Sequence, residues 1–173
     1  MATPLVVLIG PPGSGKSTIG RRLARAMNVP LTDTDHMIEA RENGTCGDVF
    51  TRLGEPEFRR VEEDVVAEAL THEGIISLGG GAVLSAATRE RLANHPVVYL
   101  EVSAEEGIRR TANENTRPVL AAEDPAAHYR ALLEYRTPFY EEAASFKVRS
   151  DQRSPQRVVS EILSYLDVEE DEA

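Results

Sequence analysis

Residues 10–17 read GPPGSGKS, a match to GxxxxGK(S/T). In that pattern glycines let backbone N–H groups turn inward around phosphate oxygens, a lysine reaches the β- and γ-phosphates, and a serine hydroxyl meets Mg²⁺. Gly13, Ser14, Gly15, Lys16, Ser17 and Thr18 are therefore candidate ligands of a nucleoside triphosphate, with Ser17 also a candidate metal ligand. Asp33 and Asp35 flank Thr34. An extended backbone there would aim both carboxylates to one side, one toward metal-bound water and the other toward an acceptor hydroxyl. The competing reading is that these aspartates cap a helix starting near His36. Gly79, Gly80 and Gly81 form either a loose turn or a place where missing side chains let a ligand reach backbone N–H groups. The phosphate motif alone serves kinases, switch GTPases and motor ATPases alike. The chain lacks the NKxD segment that selects guanine, so adenine is the expected base.

These residues need elements to hold them on one edge. Residues 5–9 form a continuous apolar, β-rich run, and Ile19, Leu23 and Met27 then recur at helical spacing. Asn28 and Pro30 end that helix; Leu31 with Thr32, and residues 75–78, read as the second and third strands, the latter stopped by the glycine run. Residues 97–102 read as a fourth strand and 146–149 as a weaker fifth. Ser103 with Glu106 fits a capping box, Asp124 with Pro125 fits the start of a helix running past Tyr135, and a last helix is expected over about 155–166. Strands alternating with helices predict an α/β, three-layer P-loop fold: a five-stranded parallel sheet flanked by helices, with ligands beyond the carboxyl ends of the strands. Every candidate above falls on that edge.

A chain of 173 residues suits one domain. Residues 112–124, with little apolar periodicity, read as a lid, and the acidic run at 168–173 reads as a frayed, solvated tail. A net charge of −10 repels nucleic acid and anionic membranes, so an anionic substrate needs a locally basic pocket. No apolar stretch approaches a membrane span, and residues 1–5 lack the layout of a signal peptide. Cys46 is the only cysteine, which excludes an internal disulfide and a cysteine-based zinc cluster and fits a reducing compartment. His36, His72, His95 and His128 have no metal-ligand spacing. The chain is expected to be a cytoplasmic monomer with no nucleic-acid or membrane partner.

Over nearly its whole length the sequence resembles the shikimate kinases, close to their actinobacterial form, among the P-loop kinases built like nucleoside monophosphate kinases. The resemblance lies in the phosphate loop with Thr18, Ile19 and Gly20, in Asp33, Thr34 and Asp35 followed by Ile38 and Glu39, in Gly54 and Glu55 through Phe58, Arg59 and Arg60 to Glu62, and in residues 78–82. Arg117, Pro118 and Arg136 add to it. It implies a substrate-binding helical region and a lid added to the P-loop fold, and transfer of the γ-phosphate of MgATP to the 3-hydroxyl of shikimate. Asp35 would bind the shikimate hydroxyl and act as the catalytic base, with Lys16 and the lid residue Arg117 stabilising the transferring group. Arg59, Arg136 and Gly80 with its neighbours Gly79 and Gly81 would hold shikimate. Arg110, Arg117, Arg153 and Pro155 would complete the ATP site, Asp33 would meet one Mg²⁺ through water, and Phe50 and Phe58 would wall the substrate ring.

From the sequence, Arg59 could equally be an exposed helix partner of Glu55, Glu62 or Glu63, Arg136 has Glu134 nearby, and Arg117 could be a solvated loop residue. Cys46 and Gly47 stand where the family tends to have a larger apolar residue and alanine, which predicts a looser start to that short helix; Val119 departs mildly from the usual leucine pair. A kinase acting on gluconate or a nucleoside monophosphate would share the loop and lid but not the combined DTD, FRR and GGG segments. A nucleotide-dependent binding module would bind ATP without acceptor-stimulated turnover.

Overall fold

The computed structural model describes residues 3–112 and 124–172, with side chains as far as Asp167. Five parallel strands, β1 (Pro4–Ile9), β2 (Leu31–Asp33), β3 (Gly74–Ser77), β4 (Val97–Glu101) and β5 (Phe146–Arg149), lie in the order β2-β3-β1-β4-β5. Helices α1 (Lys16–Met27) and α8 (Pro155–Glu172) cover one face, where Val6, Leu8, Ile75, Val98 and Leu100 meet Leu23 and Ile162. Helices α4 (Glu55–Ala69), α5 (Ala86–Leu92) and α7 (Pro125–Ala143) cover the other, around Val7, Ile9, Ile76, Leu78 and Tyr99. A strand buried on both faces needs an unbroken apolar run, which is why β1 lacks polar alternation. Helices α2 (Thr34–Glu42) and α3 (Cys46–Leu53) lie outside these layers. They pack on α4 through a separate apolar cluster of Ile38, Val49, Phe58 and Val65, and this is the helical region beside the sheet edge. Among the described residues the remaining elements are a short 3₁₀ turn (Ala82–Leu84) and α6 (Ala104–Thr111).

Local chemistry changes three expectations. Ser103 caps α6 by accepting from the Glu106 N–H at 3.2 Å. The reciprocal half of the box is not made: the Glu106 carboxylate pairs with Arg109 and Arg110, and the Ser103 N–H donates to Asp151 at 3.2 Å. The backbone stays helical to Glu172 rather than fraying at Leu166, because glutamate is a good helix former and neither glycine nor proline follows. The expected loosening at Cys46 and Gly47 meets two anchors: Thr45 caps α3 by accepting from Asp48 N–H at 3.2 Å, and Cys46 N–H donates to Glu39 at 3.1 Å.

Asp151 is 2% exposed and receives Arg149 at 3.1 Å. The arginine and the Ser103 N–H outweigh burial and hold its carboxyl near 2, below an ordinary 3.8. A depressed folded pKa contributes stability that is present above the unfolded value and lost as pH falls through the folded one. Asp151→Asn is therefore expected to melt below the parent at neutral pH, with the gap closing between pH 3.8 and about 2; parallel melting curves that keep a constant gap would contradict this.

Candidate active site

The loop after β1 enters α1 through Gly15, whose φ of 94° lies in the left-handed region, as does that of Gly13 at 79°. Only glycine adopts these angles without strain, and the result is a loop folded over the helix N-terminus, where the macrodipole favours anions. The Lys16 ammonium donates to the carbonyls of Gly10 at 2.6 Å and Pro11 at 3.1 Å. Gly13, Gly15, Lys16, Ser17 and Thr18 line one cavity together with Asp33 and Asp35. Ser14 is fully buried, its N–H donating to Pro11 O at 3.1 Å.

The extended geometry expected through residue 35 stops at Asp33. Asp33 is the N-cap of α2, its carboxylate accepting from the Asp35 N–H at 2.8 Å, so Asp35 sits in the first helical turn. The capping alternative is thus realised for Asp33, yet both carboxylates still line the phosphate-side cavity. Thr34, fully buried, locks this turn to the glycine run: its hydroxyl donates to Ser77 O at 3.4 Å and accepts from Gly79 N–H at 3.1 Å.

A second cavity adjoins the first. It is lined by Asp35, Arg59, Glu62 and Arg136, by the apolar walls Phe50 and Phe58, and by Cys46, Gly47 and the three glycines. The glycine run is where these side chains converge. A Cβ on Gly79 would sit 2.6 Å from Asp35 Oδ1, one on Gly80 3.4 Å from Arg136 Nη1, and one on Gly81 2.6 Å from the Arg59 guanidinium carbon. Arg59 does pair at i+3 with Glu62 at 2.7 Å and at i−4 with Glu55 at 3.6 Å. It is nevertheless not a surface pair, since its side chain is 21% exposed and its guanidinium lies 5.4 Å from the Phe58 ring centre and 6.0 Å from that of Phe50. Arg136 is 6% exposed.

Glu62 joins the site without a role that its sequence position assigns. It is 3% exposed, and burial raises its pKa against the opposing pull of Arg59. Its signal was present: it lies with Phe58, Val65, Val66 and Ala69 among the buried residues of α4, where a carboxylate needs a partner.

Arg110 and Arg153 sit differently. Arg110 lies behind the phosphate loop, donating to Gly13 O at 3.0 Å and Ser150 O at 3.1 Å, and pairing with Glu106 at 2.9 Å. Arg153, just before Pro155 at the start of α8, pairs with Glu161; neither it nor Pro155 lines the two cavities. Arg117, Val119 and the expected lid lie outside the described residues.

Among known proteins, the family model for shikimate kinase matches residues 12–167. A shikimate kinase of Corynebacterium efficiens is 61% identical over 167 residues, covering 96% of this chain and 99% of that one. The structure of a shikimate kinase from Acinetobacter baumannii in complex with shikimate superimposes with a TM-score of 0.91 at 33% identity, covering 98% of this chain and 95% of that one. A gluconokinase from Sinorhizobium meliloti, at a TM-score of 0.59 and 17% identity over 96% of this chain and 91% of that one, shares the fold alone. With the phosphate loop, the DTD turn, Arg59 and the glycine run gathered on one sheet edge and a family match across nine-tenths of its length, this chain belongs to the shikimate kinase family.

Proposed function

We propose that this protein transfers the γ-phosphoryl group of MgATP to the 3-hydroxyl of shikimate, giving shikimate 3-phosphate and ADP for aromatic amino-acid synthesis. The observation that carries the reading is the position of Asp35, the one carboxylate among the described residues that lines both the phosphate-side cavity and its neighbour. A group placed there can orient an acceptor hydroxyl toward a phosphoryl group and take its proton. Arg59 and Arg136 suit the acceptor's carboxylate, since a guanidinium offers a planar two-donor fork, and Phe50 and Phe58 suit the carbon ring. Glu62 holds the Arg59 guanidinium in place at 2.7 Å.

Transfer is in line and loose, so positioning and charge carry most of the catalysis. Lys16 and the backbone N–H groups of residues 13–18 hold the phosphates. Arg117, assigned through the family pattern, closes over the transferring group and excludes water. Arg110, Arg153 and Pro155 belong to the adenine side on the same basis, with Arg110 reaching the loop through Gly13. The Ser17 hydroxyl and the Asp33 carboxylate are hard oxygen donors of the kind Mg²⁺ takes beside phosphate oxygens and water. One Mg²⁺ would supply charge neutralisation there. A small single domain with an acidic surface suits a monomer, and a lone cysteine suits the cytoplasm.

ADP release is the test, measured with MgATP alone and with shikimate, gluconate or a set of nucleoside monophosphates. Stimulation by shikimate alone is expected. Stimulation by another acceptor would keep the kinase and overturn the substrate; stimulation by none, with ATP still bound, would favour a binding module.

A further inference from the structure

Two buried phenols on α7 reach the backbones of both halves of the site. The Tyr129 hydroxyl, on a side chain 1% exposed, donates to Pro12 O at 2.7 Å. That of Tyr140, fully buried, donates to Gly80 O at 2.6 Å. Tyr129, Arg136 and Tyr140 follow one another at spacings of seven and four, so they share one face of the helix. Gly107 on α6 leaves the room Tyr129 needs, since a Cβ there would overlap the phenol ring. Tyr140 stacks on Tyr99 of β4 with ring centres 5.1 Å apart.

The partner atoms give these bonds meaning. In a trans peptide the carbonyl and the next residue's N–H point in opposite directions. Drawing Pro12 O back toward Tyr129 therefore turns the Gly13 N–H the other way, and Gly13 lines the phosphate-side cavity. Drawing Gly80 O toward Tyr140 does the same for the Gly81 N–H, and Gly81 lines the acceptor cavity. Without the phenols nothing in the residue type would hold these peptides, because glycine on one side of the Pro12–Gly13 peptide and on both sides of the Gly80–Gly81 peptide leaves their rotation free. Arg110 supports the same loop from outside by donating to Gly13 O at 3.0 Å.

We propose that Tyr129 and Tyr140 are positioning residues for phosphoryl transfer, Tyr129 setting the Gly13 peptide for the nucleotide phosphates and Tyr140 setting the Gly81 peptide for the acceptor. The assignment rests on the kinase reading above. Burial raises both phenol pKa values, that of Tyr140 to about 12, so both hydroxyls keep the proton they donate under assay conditions.

The test is steady-state kinetics of the full chain, with MgATP and shikimate varied separately, for the parent, Tyr129→Phe and Tyr140→Phe. Phenylalanine keeps the ring packing and removes the hydroxyl; at Tyr140 that also takes an acceptor from Arg136, so Tyr140→Phe is read in an Arg136→Met background as well, where its effect on KM for shikimate must persist. Tyr129→Phe is expected to raise KM for MgATP about fivefold and leave KM for shikimate within about twofold, and Tyr140→Phe to do the reverse, the size expected for one hydrogen bond. Melting temperature is measured beside each. Equal rises in both KM values, or none in either, with lowered melting would make the tyrosines merely structural and overturn the proposal. Should a phenylalanine variant not fold, 3-fluorotyrosine at that position, which makes the hydroxyl a stronger donor at the cost of one small added atom, must move the same KM, and failure to do so overturns it too. If the parent itself ignores shikimate, the acceptor reading fails separately, and titration of Tyr129→Phe with MgATP still decides the phosphate-loop half.

Discussion

Asp35→Asn is expected to lower kcat by about 10²–10⁴-fold, the range for losing a general base, while KM for MgATP stays within about twofold, a change smaller than one net hydrogen bond. The two expectations follow from different parts of the structure. Asparagine matches aspartate in shape, and the bond that shapes the turn uses the Asp35 backbone N–H to Asp33 at 2.8 Å, which the substitution leaves alone. The phosphate loop and its Lys16 contacts to Gly10 and Pro11 are likewise untouched. What disappears is the carboxylate between the two cavities, against which Gly79 has no room for even a methyl group. Proton acceptance and hydroxyl orientation are lost together, and because both act on the reacting atom the loss falls on kcat. A turnover number near that of the parent, in protein that melts normally, would remove Asp35 from the base role.

The sequence made some of this legible because the relevant chemistry is local. A phosphate loop is specified by consecutive residues, and strand ends by glycine and aspartate just after apolar runs, so the five parallel strands and the edge they share could be read before the structure. Arg59 was undecidable from spacing. Its ion pairs at i+3 and i−4 exist just as a surface reading requires, and it is the docking of the glycine run, with Gly81 against the guanidinium, and of α3, with Phe50 beside it, that puts the group in a cavity. Two readings of the tripeptide at 33–35 compete in the sequence, and the structure combines them: Asp33 ends the strand and caps α2, while Asp35 enters the first helical turn. The tyrosines of α7 were the least legible. Their partners are carbonyls 117 and 60 residues away, and a carbonyl leaves no trace in residue type. Arg110 is a similar case, ordinary by position and attached to Gly13 across 97 residues.

Arg136→Met is expected to raise KM for shikimate by about 10²–10³-fold, about 2.7–4.1 kcal/mol, inside the range of about 2–5 kcal/mol for truncating one partner of a buried charge pair. A guanidinium that is 6% exposed has given up most of its hydration, and in the fold it faces the Glu62 carboxylate and the Tyr140 hydroxyl. Arg136 helps oppose the raised pKa of Glu62, but burial and Arg59 weigh more there. Arg59 is held by Glu62 at 2.7 Å, which leaves Arg136 as the cation in the acceptor cavity better placed to answer an incoming carboxylate. Methionine fills the space with a flexible apolar chain and buries no unpaired charge of its own, so the variant is expected to fold. Because the phosphate loop is untouched, KM for MgATP should stay near that of the parent. Arg136→Lys keeps the charge but loses the planar fork, and its penalty should be nearer tenfold. An unchanged shikimate KM in Arg136→Met would mean that the buried cation serves the fold alone; a penalty shared equally by methionine and lysine would mean that fork geometry, rather than charge, is what the carboxylate reads.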